Sequence, residues 1–253
     1  MLPELVATRY VTPLREGGSL PAIVEADDDG TYVLKFRGAA QGRRVLVAEV
    51  IVGELARALG LNVPSLAVID LRREIARYEA DQEVQDLLNA SLGSNLGVDF
   101  LPGALGYDGS FPPDRDTAER IVWLDALTTN VDRTWKNPNL LVWHGAPWVI
   151  DHGAALYQHH SWESSAPDAA RFARTPYDAS THVLHSIAPS VIDRHEAFTG
   201  LVTPALEAAV DAVPDDWLAP TPDLPDAAAN RDAYRTLLGA RLADPSAWVP
   251  GHR

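Results

Sequence analysis

The chain has 253 residues, 46% hydrophobic and 22% charged, enough for one large domain or two packed lobes with a substantial core. A net charge of −14 argues against direct nucleic-acid binding, which needs concentrated positive charge, and against anionic membranes. Cysteine is absent, which excludes disulfides, thiolate metal sites and cysteine nucleophiles; with no transmembrane-length apolar run and no secretory signal in MLPELVATRY, a cytoplasmic location is expected.

The first part reads as strands. Residues 8–15, 21–26 and 31–37 are rich in β-branched and aromatic residues. The turn signals Glu16-Gly17-Gly18-Ser19 and Asp27-Asp28-Asp29-Gly30 separate them, which predicts a three-stranded antiparallel meander. Residues 45–60 follow with helical apolar spacing and close at Gly60. A strand is expected at about 65–71 and a charged surface helix over 72–92. The Gly-punctuated segment 93–110, with its apolar run from Val98 to Leu105, reads as a link between two lobes.

Residues 116–130 predict a helix capped by Asp116 or Thr117. A polar loop, VDRTWKNPN, leads to short strands at 139–143 and 147–150, with Asp151 ending the second. The remainder is helical and loop-like, with a linker at 219–225 and a last helix at 226–243. A strand-rich half therefore precedes a helix-rich half. This is an α+β layout with a cleft between lobes: an N-lobe over 1–97, a hinge over 98–108 and a C-lobe over 109–253.

Of the 21 basic residues only two, Lys35 and Lys136, are lysine. In a sequence with this bias toward Arg and Ala, both fall where a phosphate-handling lysine would be wanted. Lys35 is mid-strand in YVLKF, with Glu49 or Glu54 in the following helix as the carboxylate to position it. Asp132 is followed five residues later by Asn137, then by a hairpin ending in Asp151-His152-Gly153. Phosphoryl transfer from ATP requires such an inventory: a carboxylate for the attacking hydroxyl, and Asn plus Asp to hold metal ions that bridge the phosphates. Hard oxygen ligands suit Mg²⁺. Asn139 competes with Asn137, Lys136 either reaches the γ-phosphate or is solvated, and Arg133 either pairs with a carboxylate or touches substrate. Gly17, Gly18 and Ser19 offer backbone N–H groups to phosphates. A zinc site built from His144, His152, His159 and His160 lacks the helical spacing and cysteine companions such sites use.

These features together resemble the HipA-like kinases of the protein-kinase and phosphatidylinositol-kinase-like superfamily. The resemblance rests on the strand lysine in YVLKF, Glu49 before GELARALGLNVP, the loop from Asp132 to Asn137, and IDHG around Asp151, across roughly residues 8–157. It implies a bilobal protein-kinase-like fold and an ATP-dependent, Mg²⁺-dependent kinase. It also implies Asp132 as catalytic base, Asn137 and Asp151 as Mg²⁺ ligands, Lys35 as the phosphate-contacting lysine, and the Val98–Leu105 hinge, with Phe100 and Leu101, against adenine. Two departures stand out: Asp151-His152-Gly153 lacks the Phe of typical protein kinases, and no G-x-G-x-x-G lies between the first strands. The acceptor is expected to be a hydroxyl, on protein Ser or Thr or on a small molecule. An ATP-binding interaction module without phosphotransfer is the alternative.

Overall fold

The computed structural model describes residues 1–14, 20–76 and 81–251. Its first half is built on strands β1 (Glu4–Pro13), β2 (Ala22–Ala26) and β3 (Thr31–Lys35), helix α1 (Arg43–Ala58), strand β4 (Leu66–Leu71), helices α2 (Arg73–Ala76) and α3 (Gln82–Ala90), and strand β5 (Gly93–Asp99). The expected meander β1-β2-β3 is present as its antiparallel core. It goes further and closes into a five-stranded barrel, because β5 pairs with both β3 and β4, and β4 pairs in parallel with β1. Closure leaves this five-stranded sheet without a free edge strand.

Two expectations are corrected here. The helix expected over 72–92 is two helices, since Asp81 starts a new one by accepting from the Glu83 and Val84 amides. Residues 93–99, expected to join the lobes, form a central barrel strand. Gly97 allows this: a Cβ there would lie 2.3 Å from Ile69 Cδ1 on the neighbouring strand β4. The barrel encloses its own core, including Val24, Leu34, Ile69 and Leu71, with Val84 and Leu88 of α3 packed against it.

The second half begins with β6 (Leu105–Gly106), α4 (Arg115–Thr128), β7 (Leu140–Trp143) and β8 (Ala146–Val149); β6, β7 and β8 form a small antiparallel sheet. Asp114, two residues before the expected cap, caps α4 by accepting from the Thr117 amide at 2.8 Å. Helices α5 (Ala169–Arg174), α6 (His195–Val202), α7 (Leu206–Asp211) and α8 (Ala227–Ala243) complete it. No helix among the described residues is long and apolar enough to cross a membrane.

Helix α1 joins the two halves. Leu46, Val47, Ala48, Val50, Ile51 and Val52 are all at most 1% exposed, so the helix is buried around its whole circumference. A helix apolar on every side belongs in an interior, and this one packs on α4, α6 and α7. It ends as the sequence predicts: Gly60 takes φ +76°, and the Leu61 amide returns to the Ala56 carbonyl.

Candidate active site

Strand alternation sets the direction of Lys35. On β3, Tyr32 and Leu34 are buried toward the barrel core, so Thr31, Val33 and Lys35 face the other side. There the Lys35 ammonium meets Glu49, the one acidic residue in the buried stretch of α1. Its second partner is Asp151 Oδ1, at 2.8 Å. Glu54, the other candidate partner, pairs with Arg57 instead. Glu49 Oε2 also accepts the His152 amide at 3.0 Å, so this buried carboxylate has a partner on each oxygen.

The charges adjust accordingly. Burial penalises the Lys35 ammonium, but Glu49 and Asp151 outweigh it and hold its pKa above the usual lysine range. Lys35 conversely holds the Asp151 carboxyl below the usual range. Burial, together with the Asp151 charge, pushes Glu49 up despite Lys35. Asp151 sits in the left-handed region at φ +55°, a conformation Asp tolerates better than most residues. Gly153 permits the close approach to α1: a Cβ there would lie 2.6 Å from Val45 Cγ1 and 3.2 Å from Glu49 Oε1.

The five-residue spacing from Asp132 to Asn137 has a simple geometric basis. Thr134 and Asn137 exchange two backbone hydrogen bonds, at 3.0 and 3.1 Å, so the chain folds back on itself. Asn137 Nδ2 then donates to Asp132 Oδ2 at 2.7 Å, and Asn139 Nδ2 reaches the same oxygen at 3.4 Å.

Beneath this loop lies a buried polar network that sequence reasoning left unresolved. The Arg133 guanidinium pairs with Asp125 of α4, with Nε 2.6 Å from Oδ2, and both side chains are wholly buried. Arg133 also donates to the Asn139 and Ile150 carbonyls, at the two ends of the β7–β8 hairpin. One side chain thereby ties the Asp132 loop to the segment carrying Asp151. His182 Nδ1 accepts the Leu184 amide, so its Nε2–H is the donor to Asp125 Oδ2 at 2.9 Å. Burial raises the Asp125 pKa, but Arg133 and His182 reverse that and hold it below the carboxylate range. Asn130 Nδ2 supplies a further bond to Asp125 Oδ1 at 3.0 Å.

Lys35, Asp132, Asn137 and Asp151 all line one cleft of 590 Å³ between the barrel and the helical half. Residues 39–42, Val45 and Leu46 form a wall of it, and Tyr157 and His160 are on its rim. The wall belongs to a strand–turn–helix unit: β3, the turn Gly38–Gly42, then the N-terminus of α1, which no side chain caps. Uncapped helix N–H groups attract anions. Two glycines between a strand lysine and an apolar helix were the available sequence signal for it. Other expected residues lie elsewhere. Lys136 is exposed and off the cleft lining, as are Phe100, exposed, and Leu101, buried, beyond the end of β5. Gly17, Gly18 and Ser19 lie outside the described residues.

A family model for HipA-like kinases matches residues 8–249. The chain belongs to the HipA-like kinase family. The structure of this HipA-like kinase is similar to that of the Helicobacter pylori proinflammatory kinase CtkA, with a TM-score of 0.52 over 94% of each chain at 13% identity. The Golgi casein kinase with Mn/ADP bound aligns with a TM-score of 0.46 at 13% identity, over 96% of this chain and 73% of the other. The fold is thus a bilobal, protein-kinase-like α+β fold. No curated protein matches the sequence.

The donor set of this HipA-like kinase suits a hard divalent ion. Lys35 occupies Asp151 Oδ1, which leaves Oδ2, and Asn137 bonds Asp132 through its amide nitrogen, which leaves its carbonyl oxygen. Among the described residues no group of three or more His, Asp or Glu side chains forms a self-sufficient metal site. Two protein oxygens completed by phosphate and water match the habits of Mg²⁺. Histidine plays another part: His152 and His159 are buried, and burial holds both below the ordinary histidine pKa.

Proposed function

We propose that this chain binds Mg-ATP in the cleft and transfers the γ-phosphoryl group to a hydroxyl acceptor, on a protein Ser or Thr or on a small molecule. The observation that carries the proposal is the convergence on one cleft of the Lys35–Glu49–Asp151 ion cluster and the Asp132–Asn137 pair.

Lys35 stays charged throughout the physiological range and offers an ammonium to the phosphates, held in place by Glu49. The uncapped start of α1 adds backbone N–H groups to the same wall. Asp132 is half-buried, and Asn137 and Asn139 bond its Oδ2, leaving Oδ1 to take the acceptor proton. As the acceptor oxygen bonds the γ-phosphorus, the bond to the β–γ bridging oxygen breaks and ADP departs. Asn137 and Asp151 would hold the metal, which when bound offsets charge on the phosphates. The barrel and helical half together wall the cleft and limit water.

A thermal-shift titration with Mg-ATP, followed by ATP consumption and mass spectrometry of the products, tests this reading. A melting shift with turnover and a product heavier than the acceptor by about 80 Da, the mass of one HPO₃ group, is expected for phosphate transfer. A shift without turnover would replace the kinase reading with that of an ATP-binding module. An adenylylated product would replace phosphate transfer with AMP transfer.

A further inference from the structure

The cleft wall Gly38–Gly42 is flanked by Arg37 and Arg43, and both arginines reach the same residue of the helical half. Arg37 Nη1 lies 2.6 Å from Asp216 Oδ2, and Arg43 Nη1 donates to the Asp216 carbonyl at 2.9 Å. Asp216 belongs to the short helical turn Asp215–Trp217 that follows α7. Ser94 Oγ of β5 donates to the same Oδ2 at 2.7 Å. Trp217, 1% exposed, ties the turn to the same residue by donating from Nε1 to the Ser94 carbonyl at 3.2 Å. Ser94, Arg37 and Arg43 together hold the Asp216 carboxyl below the usual carboxylate range.

Among the described residues, the barrel's side-chain hydrogen bonds to the wall fall at its beginning: Asn95 Oδ1 accepts the Arg37 amide, and Ser91 Oγ accepts the Gly38 amide. At the α1 end, contacts from the helical half include Arg43 on Asp216 and Arg44 stacked 5.3 Å over the Trp162 ring. We propose that Asp216 is a positioning residue for the nucleotide cleft, gripping both ends of the Gly38–Gly42 wall and so fixing the start of α1 relative to Lys35 and Asp151. This inference rests on the Mg-ATP reading of the cleft. The Asp216 side chain is 55% exposed, so its ion pair adds little to global stability. Its effect is local: it sets where the uncapped helix N-terminus and the wall amides stand.

The experiment compares wild type with Asp216→Ala, Arg43→Met and the double variant, each in the 253-residue chain. Asp216→Ala releases Arg37 and Ser94 but keeps the carbonyl that Arg43 bonds, whereas Arg43→Met releases the other end. Each single variant is expected to raise the KM for ATP about tenfold while kcat changes less than about twofold, and because the wall needs both ends held, the double variant is expected to be no worse than the more impaired single. Hydrogen exchange in peptides covering residues 36–48 should quicken in both single variants, with the centre of the barrel unchanged. Asp216→Asn keeps an oxygen for Ser94 and Arg37 and should restore most of the KM, which also serves if the alanine variant fails to fold. An unchanged KM, additive effects, or faster exchange spread evenly over the whole barrel would overturn the proposal. Exchange does not depend on turnover, so an inert wild type with quickened exchange at 36–48 would refute the kinase reading and leave the clamp standing.

Discussion

Arg133 and Asp125 form an ion pair with no solvent exposure on either side chain, and Arg133 carries the link from the Asp132 loop to both ends of the β7–β8 hairpin. Geometry at the cleft is therefore set one layer below it. Arg133→Leu leaves Asp125 buried with, among the described residues, His182 and Asn130 as its side-chain partners. The expected loss of stability is about 3–5 kcal/mol, the cost of stranding a buried charge. Urea denaturation measures it, and a loss under about 1 kcal/mol, the range of a surface pair, would contradict the assignment.

Glu49→Gln keeps the side-chain shape and the acceptor for the His152 amide but removes the charge facing Lys35. Misplacing one phosphate-contacting group is expected to lower kcat/KM by about 10- to 100-fold with little change in melting. Steady-state kinetics beside a thermal melt decide this. Glu54→Gln is the control, since Glu54 contacts Arg57 and should leave turnover within about twofold of wild type.

Gly153→Ala sets a Cβ 2.6 Å from Val45 Cγ1, too close to coexist without movement. The overpacking should cost about 1–3 kcal/mol and push the Asp151 turn off α1. Val45→Ala makes room for the new methyl. The double variant should recover stability relative to Gly153→Ala alone, and failure to recover would place the strain elsewhere.

Burial and the neighbouring Arg133 push the His152 pKa down to about 3, while an unfolded histidine titrates near 6.5. Between those values the unfolded chain binds one more proton than the folded chain. Stability from this group is thus complete above about pH 6.5 and falls as pH drops toward 3, by at most about 1.4 kcal/mol per pH unit. Buried His159 acts in the same direction. His152→Asn should make the slope of stability between pH 6.5 and 4.5 shallower. An identical slope in wild type and variant would remove His152 from this account.

Local chemistry made part of the site legible in sequence, and distance hid the rest. Lys35 stood out because lysine is scarce and because strand alternation predicts its direction from Tyr32 and Leu34. Asp132 and Asn137 announced themselves through a spacing that a single turn explains. Asp125 and His182 did not: they are 57 residues apart in sequence, and a helix Asp or a loop His carries no local mark of a buried pairing. The same holds for barrel closure, because the parallel pairing of β1 with β4 joins Glu4 to Val68 and leaves no short-range pattern. The helix expected over 72–92 split at Asp81, whose capping role its composition disguised within a charged run. The turn Gly38–Gly42 was readable as strand, glycine-flanked turn and helix, yet the glycines at 17 and 18 drew the phosphate expectation away from it.

The most direct measurement is Mg-ATP consumption and Mg-ATP binding by wild type, Asp132→Asn and Asp151→Asn under identical conditions. The account predicts turnover by wild type and none by either variant, with Mg-ATP binding retained in Asp132→Asn and weakened in Asp151→Asn. Undiminished ATP consumption in both variants would contradict it.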